Sequence, residues 1–268
     1  MAYIEVEPGV RIFYRDLGRS DGRPIVLLHA FTFDHTVWDR HIRLLCDSHR
    51  LVPIDLRGHG LSDKPTVGCT PDRLVADVEA VLEALDLHDV ALIGWSLGGA
   101  VAARLAARSD RVSQLMLITP FGPKFIADDR SPQRMSAAEA GGLVGYERST
   151  PYELRLTTVQ TMPKQPYSEA VSAWLYAMTM RAPSWSAGRI LEEFVRADFR
   201  PDAASITVPT VICGGRADTS APAAGIEEYH ELIVGSELLW FEESGHSPQL
   251  EEFDEFVTVL EKYLERRN

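Results

Sequence analysis

The sequence predicts an α/β protein with a mostly parallel central sheet flanked by helices. Short apolar runs alternate with amphipathic stretches over residues 1–120, a helix-like insertion fills 121–205, and the alternation returns over 206–268. Runs of four or five consecutive apolar residues suit strands buried on both faces. Their alternation with helices implies right-handed crossovers between parallel neighbours.

Residues 10–14 read as an early strand, and Ile25-Val26-Leu27-Leu28 as a strand covered on both faces. Residues 49–55 form another short strand, closed by the turn residues Arg57-Gly58-His59-Gly60. Over 71–85, Leu74, Val75, Val78, Val81, Leu82 and Leu85 recur at three-to-four spacing, the mark of an amphipathic helix. A strand at 90–94, an Ala-rich helix at 97–107 and a strand at 112–119 follow. Beyond Phe121 the pattern offers only helix-like stretches, at 152–162, 167–180 and 186–197. This insertion, placed after the sixth strand, is expected to form a helical lid over the sheet's C-terminal edge. Its rings (Tyr146, Tyr152, Tyr167, Trp174, Tyr176, Trp185, Phe194 and Phe199) predict an apolar pocket, with about half of them packing the lid on itself. A strand at 210–213, a helix at 223–234, a strand at 237–241 and a last helix from Gln249 to Arg266 complete the core.

Composition narrows the function classes. A net charge of -12 on 268 residues argues against nucleic acid or an anionic membrane as the main partner; a small-molecule substrate is suggested instead by the apolar pocket expected of the insertion. Three cysteines, Cys46, Cys69 and Cys213, lack metal-type spacing and suit a reducing compartment. Residues 1–7 contain two acids and no basic or apolar leader, so no signal peptide is read there. The longest largely apolar stretch, from Val90, stops at Arg104 and is too short to span a bilayer. The expected location is cytoplasmic.

The chemistry is carried by Gly94-Trp95-Ser96-Leu97-Gly98, a G-x-S-x-G pattern at a strand-to-helix junction. A sharp turn there exposes the serine hydroxyl, and a β-carbon at 94 or 98 would strike the adjoining helix or strand. The helix N-terminus favours negative charge developing beside the serine. A serine hydroxyl needs a base. His246 lies in Ser244-Gly245-His246-Ser247-Pro248, after the last strand, and Asp218 follows the strand at 210–213. Their order, Ser96, Asp218, His246, is the one this motif requires. Two backbone N–H groups, those of Leu97 and Phe31, are the expected oxyanion donors. His29, Trp95 and Trp174 are candidate substrate contacts, although His29 suits a role in bonding its own loop better. No metal or organic cofactor is needed for these steps.

With these motifs in view, the chain resembles the α/β-hydrolase superfamily along nearly all its length. The resemblance rests on Leu28-His29-Ala30-Phe31 with Trp38, Asp55-Leu56-Arg57-Gly58-His59-Gly60-Leu61-Ser62, the segment from Gly94 to Gly99, Asp218 with Pro222, and Gly245-His246 with Glu251. It implies a serine esterase or lactonase forming an acyl-enzyme on Ser96. Alternatives on the same fold are a proline iminopeptidase-like enzyme, a carbon–carbon bond hydrolase, a cofactor-free perhydrolase and a ligand-binding receptor. The family usually has glycine where this chain has Ala30, which implies an oxyanion loop of different shape. Serine rather than aspartate at position 96 argues against haloalkane dehalogenases and epoxide hydrolases.

Overall fold

The computed structural model describes residues 2–129 and 134–265; Met1 and the expected helix end at Arg266 lie outside the described residues. Strand β1 (Ala2–Glu7) turns back on β2 (Val10–Tyr14). There follow β3 (Leu17–Gly18), β4 (Pro24–Leu28), α1 (Asp39–Leu45), β5 (Arg50–Ile54), α2 (Pro71–Ala84), β6 (Val90–Trp95), α3 (Leu97–Ala106) and β7 (Val112–Ile118). Helices α4 (Ala137–Ser149), α5 (Pro151–Thr161), α6 (Glu169–Thr179), α7 (Ser184–Arg196) and α8 (Arg200–Ala203) occupy the segment that the sequence marked as helical. The chain ends with β8 (Thr210–Gly215), α9 (Ala223–Leu232), β9 (Glu237–Phe241), α10 (Pro248–Glu251) and α11 (Phe253–Glu265).

The strands form one sheet in the order β1-β2-β5-β4-β6-β7-β8-β9, with β3 paired to β5. From β5 to β9 every pairing is parallel, and β1, β2 and β3 add antiparallel contacts at one side. Helices α4 to α8 therefore follow the seventh strand, not the sixth. One strand that the sequence did not mark is the two-residue β3, which has no apolar pattern. Strand β1 alternates half-buried and exposed residues, and it too escaped the pattern sought for buried strands.

Period-two alternation of side chains builds a core on each face of the sheet. Val26, Leu28, Val52, Ile54, Leu92, Leu115 and Leu117 face one core with α2, α3 and α9. Ile25, Leu27, Leu51, Ala91, Ile93, Met116 and Ile118 face the other, against Trp38, α1 and α11. Helix α2 starts where Pro71 occupies the first turn and the Thr70 hydroxyl accepts the Arg73 N–H at 3.2 Å. The turn after β5 is a staple: buried Arg57 makes a two-pronged contact with Asp77 of α2, at 2.6 and 2.9 Å, and bonds Glu7 of β1 at 2.6 Å.

Chain order positions the site. From β4 the chain steps outward to β5, then crosses to β6 on the opposite side of β4. The reversal leaves a crevice at the carboxyl ends of β4 and β6, the usual binding position in open parallel sheets.

Behind that crevice two buried imidazoles, His29 and His59, stand with ring centroids 5.1 Å apart. Burial lowers the pKa of His29, and it pushes His59 down to about 3. Both rings are neutral in the folded protein at pH 7. On acidification below about 6.5, the ordinary histidine value, the unfolded chain takes up protons that these folded sites refuse, so stability falls with falling pH. A lower urea midpoint is expected at pH 5.5 than at pH 7.5, where most carboxylates are ionised at both values. A His59→Leu variant, whatever its stability at pH 7.5, is expected to lose less between the two conditions. Equal losses in variant and parent would contradict this account.

Candidate active site

Ser96 sits where β6 ends and α3 begins, with φ 54° and ψ -113°. Such a positive φ is costly for a residue with a β-carbon and persists only where the surroundings enforce it. Here the enforcement is tight packing. A β-carbon on Gly94 would lie 2.3 Å from the Gly98 carbonyl oxygen in the helix. One on Gly98 would lie 2.5 Å and 2.7 Å from the carbonyl oxygens of His29 and Leu28 at the end of β4. The Ser96 N–H donates to the Ile118 carbonyl of β7 and its carbonyl accepts from Phe121, which anchors the elbow on both sides.

The structure brings Ser96, His246 and Asp218 together. The Ser96 Oγ stands 2.9 Å from His246 Nε2, and His246 Nδ1 stands 2.8 Å from Asp218 Oδ2. A carboxylate oxygen only accepts, so Nδ1–H donates to Asp218 and Nε2 offers its lone pair to the serine hydroxyl. The second Asp218 oxygen accepts the N–H groups of Ser220 and Ala221 at 2.7 and 2.9 Å, which fixes the carboxylate. Ser96 and His246 are each only 6% exposed.

The His246 loop is held from several sides. Its N–H donates to the Met162 carbonyl at 2.7 Å. Its carbonyl accepts from the Trp95 indole at 2.7 Å and the Thr119 hydroxyl at 2.8 Å. One Glu251 oxygen accepts the N–H groups of Gly245 and Lys164 at 2.9 and 2.7 Å, and the other accepts Ser247 N–H and Oγ at 3.0 and 2.9 Å. Glu251 thus fixes the imidazole's backbone without touching the ring. The sequence marked Glu251 only as part of a motif and gave no reason for it.

Ser96 and His246 open on a cavity of about 280 Å³. Its walls include Phe31, Phe33, Phe121, Met135, Leu143, Leu154, Met162 and Leu191, so α4, α5 and α7 contribute to it. Phe31 and Leu97 line the same space. Leu97 opens α3, so its N–H is one of the first-turn donors without a helical acceptor. In the loop after β4 the left-handed residue is Thr32, at φ 65°, not residue 30. Alanine at position 30 is thereby accommodated, because the turn is taken two residues later.

Three expected substrate contacts do not reach the cavity, and neither do the rings expected to line it. His29 is fully buried: Nδ1–H donates to the Ala30 carbonyl at 2.8 Å and Nε2 accepts the Leu56 N–H at 3.0 Å. Trp95 is likewise buried, with its indole N–H committed to the His246 carbonyl. Trp174, on α6, is 41% exposed and absent from the cavity wall. None of the eight rings singled out in 121–205 lines this cavity; from that segment Phe121, Met135, Leu143, Leu154, Met162 and Leu191 supply its apolar wall instead. Helix α4 was missed altogether, although Ser136 and Glu139 form a reciprocal capping box that the spacing S-x-x-E announces.

Asp34, His35 and Asp55 also cluster closely enough to suggest a metal site, but hydrogen bonds already occupy them. Asp55 accepts from His35 N–H, His35 Nδ1 and Leu61 N–H, and Asp34 accepts from Thr36 and Arg181.

Comparison with known proteins decides the family: a profile of the alpha/beta hydrolase family matches residues 25–259. The chain belongs to that family. Among relatives of this alpha/beta hydrolase, the AB hydrolase superfamily protein YisY of Bacillus subtilis (strain 168) is 31% identical, covering 97% of this chain and 98% of its own. A non-heme chloroperoxidase of Streptomyces lividans is 28% identical, over 92% of this chain and 93% of its own. Among solved structures, an esterase from Exiguobacterium antarcticum superposes with a TM-score of 0.94 at 28% identity, covering 98% of this chain and 99% of the other. Among the described residues no helix is long and apolar enough to cross a membrane.

Proposed function

We propose that this alpha/beta hydrolase cleaves small or medium carboxylic esters or lactones through an acyl-enzyme on Ser96. The observation that carries the reading is the hydrogen-bonded line from the Ser96 hydroxyl through His246 to Asp218, opening on a mainly apolar cavity. The similarity to an esterase over nearly the whole chain supports the same reaction class. The cavity volume, about 280 Å³, lies at the lower end of the range for ligand pockets and favours a small acyl group.

In the proposed cycle, Ser96 Oγ attacks the carbonyl carbon as His246 Nε2 takes its proton. Asp218 holds the imidazole tautomer and offsets the imidazolium charge. The N–H groups of Leu97 and Phe31 receive the oxyanion, aided by the positive end of α3. His246 then returns the proton to the departing alkoxide. Water, deprotonated by His246, attacks the acyl carbon, and His246 gives that proton to the departing Ser96 Oγ as the acid is released. The helical segment 121–205 serves as a lid that excludes bulk water from these steps. The three free cysteines, Cys46, Cys69 and Cys213, suit a cytoplasmic setting.

Asp218→Asn is expected to lower kcat for a p-nitrophenyl ester about 10⁴-fold by disfavouring the productive imidazole tautomer, with little change in KM. A variant within tenfold of the parent would remove Asp218 from the mechanism. A second reading, perhydrolysis, is favoured by similarity to the Streptomyces lividans chloroperoxidase. Hydrogen peroxide would replace water in the second half-reaction and yield a peracid. Partitioning of one acyl donor between water and added peroxide distinguishes the two.

A further inference from the structure

The wall of the cavity beside Ser96 contains an ion pair that the proposed cycle does not use. Among the described residues lining it, Glu147 of α4 and Arg155 of α5 are the charged side chains apart from the His246 imidazole. Glu147 is fully buried and Arg155 only 4% exposed. Arg155 Nε donates to Glu147 Oε2 at 3.3 Å and Nη2 bonds Glu147 Oε1. Its Nη1 donates to the Thr179 and Ala182 carbonyls at 2.7 and 2.6 Å, at the end of α6. A guanidinium has five N–H bonds, and these contacts use four. One N–H on Nη2 is left over.

Such a pair is an expensive way to hold three helices together. Removing two charges from water costs several kcal/mol each, and well-packed apolar residues of similar volume often do as well or better. Here it interrupts a wall otherwise built mainly from apolar side chains, with Thr32, Thr158, Thr219 and Ser220 as uncharged polar members. Its electrical character restricts what it can recognise. Glu147 neutralises Arg155, so the pair carries no net charge, and the Nη2 N–H without a partner among the described residues is the group through which it could recognise a substrate. A ketone or amide carbonyl can accept that N–H. A substrate carboxylate would compete with Glu147, and an ammonium group would face Arg155; both would lose their hydration inside the cavity.

Building on the esterase reading above, we infer that Arg155, held by Glu147, is a specificity-determining residue. It selects esters whose acyl chain carries a neutral hydrogen-bond acceptor over hydrocarbon chains of equal length and over chains ending in a charge. The scissile carbonyl sits at Ser96 while the second carbonyl of the same acyl chain docks on α5. An amine-bearing substrate, as an iminopeptidase would need, finds no free acid among the described residues of this wall. Glu192 of α7 pairs with Arg148 and Arg196 outside the cavity.

The test compares kcat/KM of the full-length protein for p-nitrophenyl hexanoate, 4-oxohexanoate, 5-oxohexanoate and hydrogen adipate, which share chain length. At least one oxo ester is expected to exceed hexanoate by about tenfold, the value of one hydrogen bond to a charged donor. Hydrogen adipate is expected to fall below hexanoate. In a Glu147→Met, Arg155→Met double variant the ratio of oxo ester to hexanoate is expected to fall toward one. A purely structural pair would leave that ratio unmoved while both rates changed together. Hexanoate equalling both oxo esters on the parent protein, or adipate exceeding them, overturns the inference even if the double variant fails to fold. If no ester is turned over and a fluorophosphonate probe leaves Ser96 unlabelled, it is the esterase reading that fails, and this inference with it.

Discussion

Ser96→Ala is expected to reduce the turnover of p-nitrophenyl esters by about 10⁵-fold or more while leaving the fold intact. Loss of the nucleophile in a serine triad abolishes the acyl-enzyme route, and the remaining donors and pocket supply only residual catalysis. Among the described residues the hydroxyl's one side-chain partner is His246, at 2.9 Å, so little structure depends on it. Alanine and serine both carry a β-carbon and suffer similarly at φ 54°. The thermal midpoint of Ser96→Ala should therefore match the parent's. Ser96→Gly separates strain from chemistry. Glycine adopts this conformation freely, and Ser96→Gly should be more stable than Ser96→Ala by about 1 kcal/mol while equally inactive. Labelling by a fluorophosphonate, read as a mass increment on residue 96, should disappear in both. Parent-like ester hydrolysis by purified Ser96→Ala would sink the nucleophile assignment.

Gly98→Ala should produce a large loss of stability from a single inserted methyl group. Its new β-carbon would lie 2.5 Å from the His29 carbonyl oxygen and 2.7 Å from that of Leu28, both backbone atoms with no freedom to swing aside. Helix α3 must then move away from β4, which overpacks the centre of the molecule at a cost of about 3 kcal/mol. For a chain of this size that corresponds to a fall of about 10 °C in thermal midpoint. Activity should fall further than stability alone explains, because the same shift separates Leu97 from the loop containing Phe31. Gly141→Ala, in α4, provides a contrast: nothing lies within 4 Å of its β-carbon position, and its thermal midpoint should hold or rise. A Gly98→Ala variant with parent stability would show that α3 and β4 are less rigidly apposed than these distances require.

Much of the sheet was legible because its chemistry is local. Ile25 to Leu28 and the strand from Val90 are apolar runs that admit few other readings, and Gly94-Trp95-Ser96-Leu97-Gly98 marks the junction directly after the latter. The missing elements had weaker signatures. Strand β3 has two residues, and the residues of α4 show no strong apolar face even though its capping box was readable. Substrate contacts fared worst. Trp95 lies next to the serine in sequence but points inward, since successive residues at a strand end take opposite faces. Glu147 and Arg155 resemble ordinary helix-surface charges until α4, α5 and the end of α6 close around them.

The sequence alone determined most of the order of strands and helices, β1, β3, α1, α4 and α8 apart, and pointed to the serine, aspartate and histidine that meet in the fold, because periodicity and turn chemistry depend on neighbouring residues. Only the folded chain decided which side chains face the cavity, that Glu251 anchors the His246 loop, and that Thr32 rather than residue 30 takes the left-handed turn. Those outcomes depend on which segments meet across the sheet, and a burial or a hydrogen bond between distant segments leaves no local pattern to read.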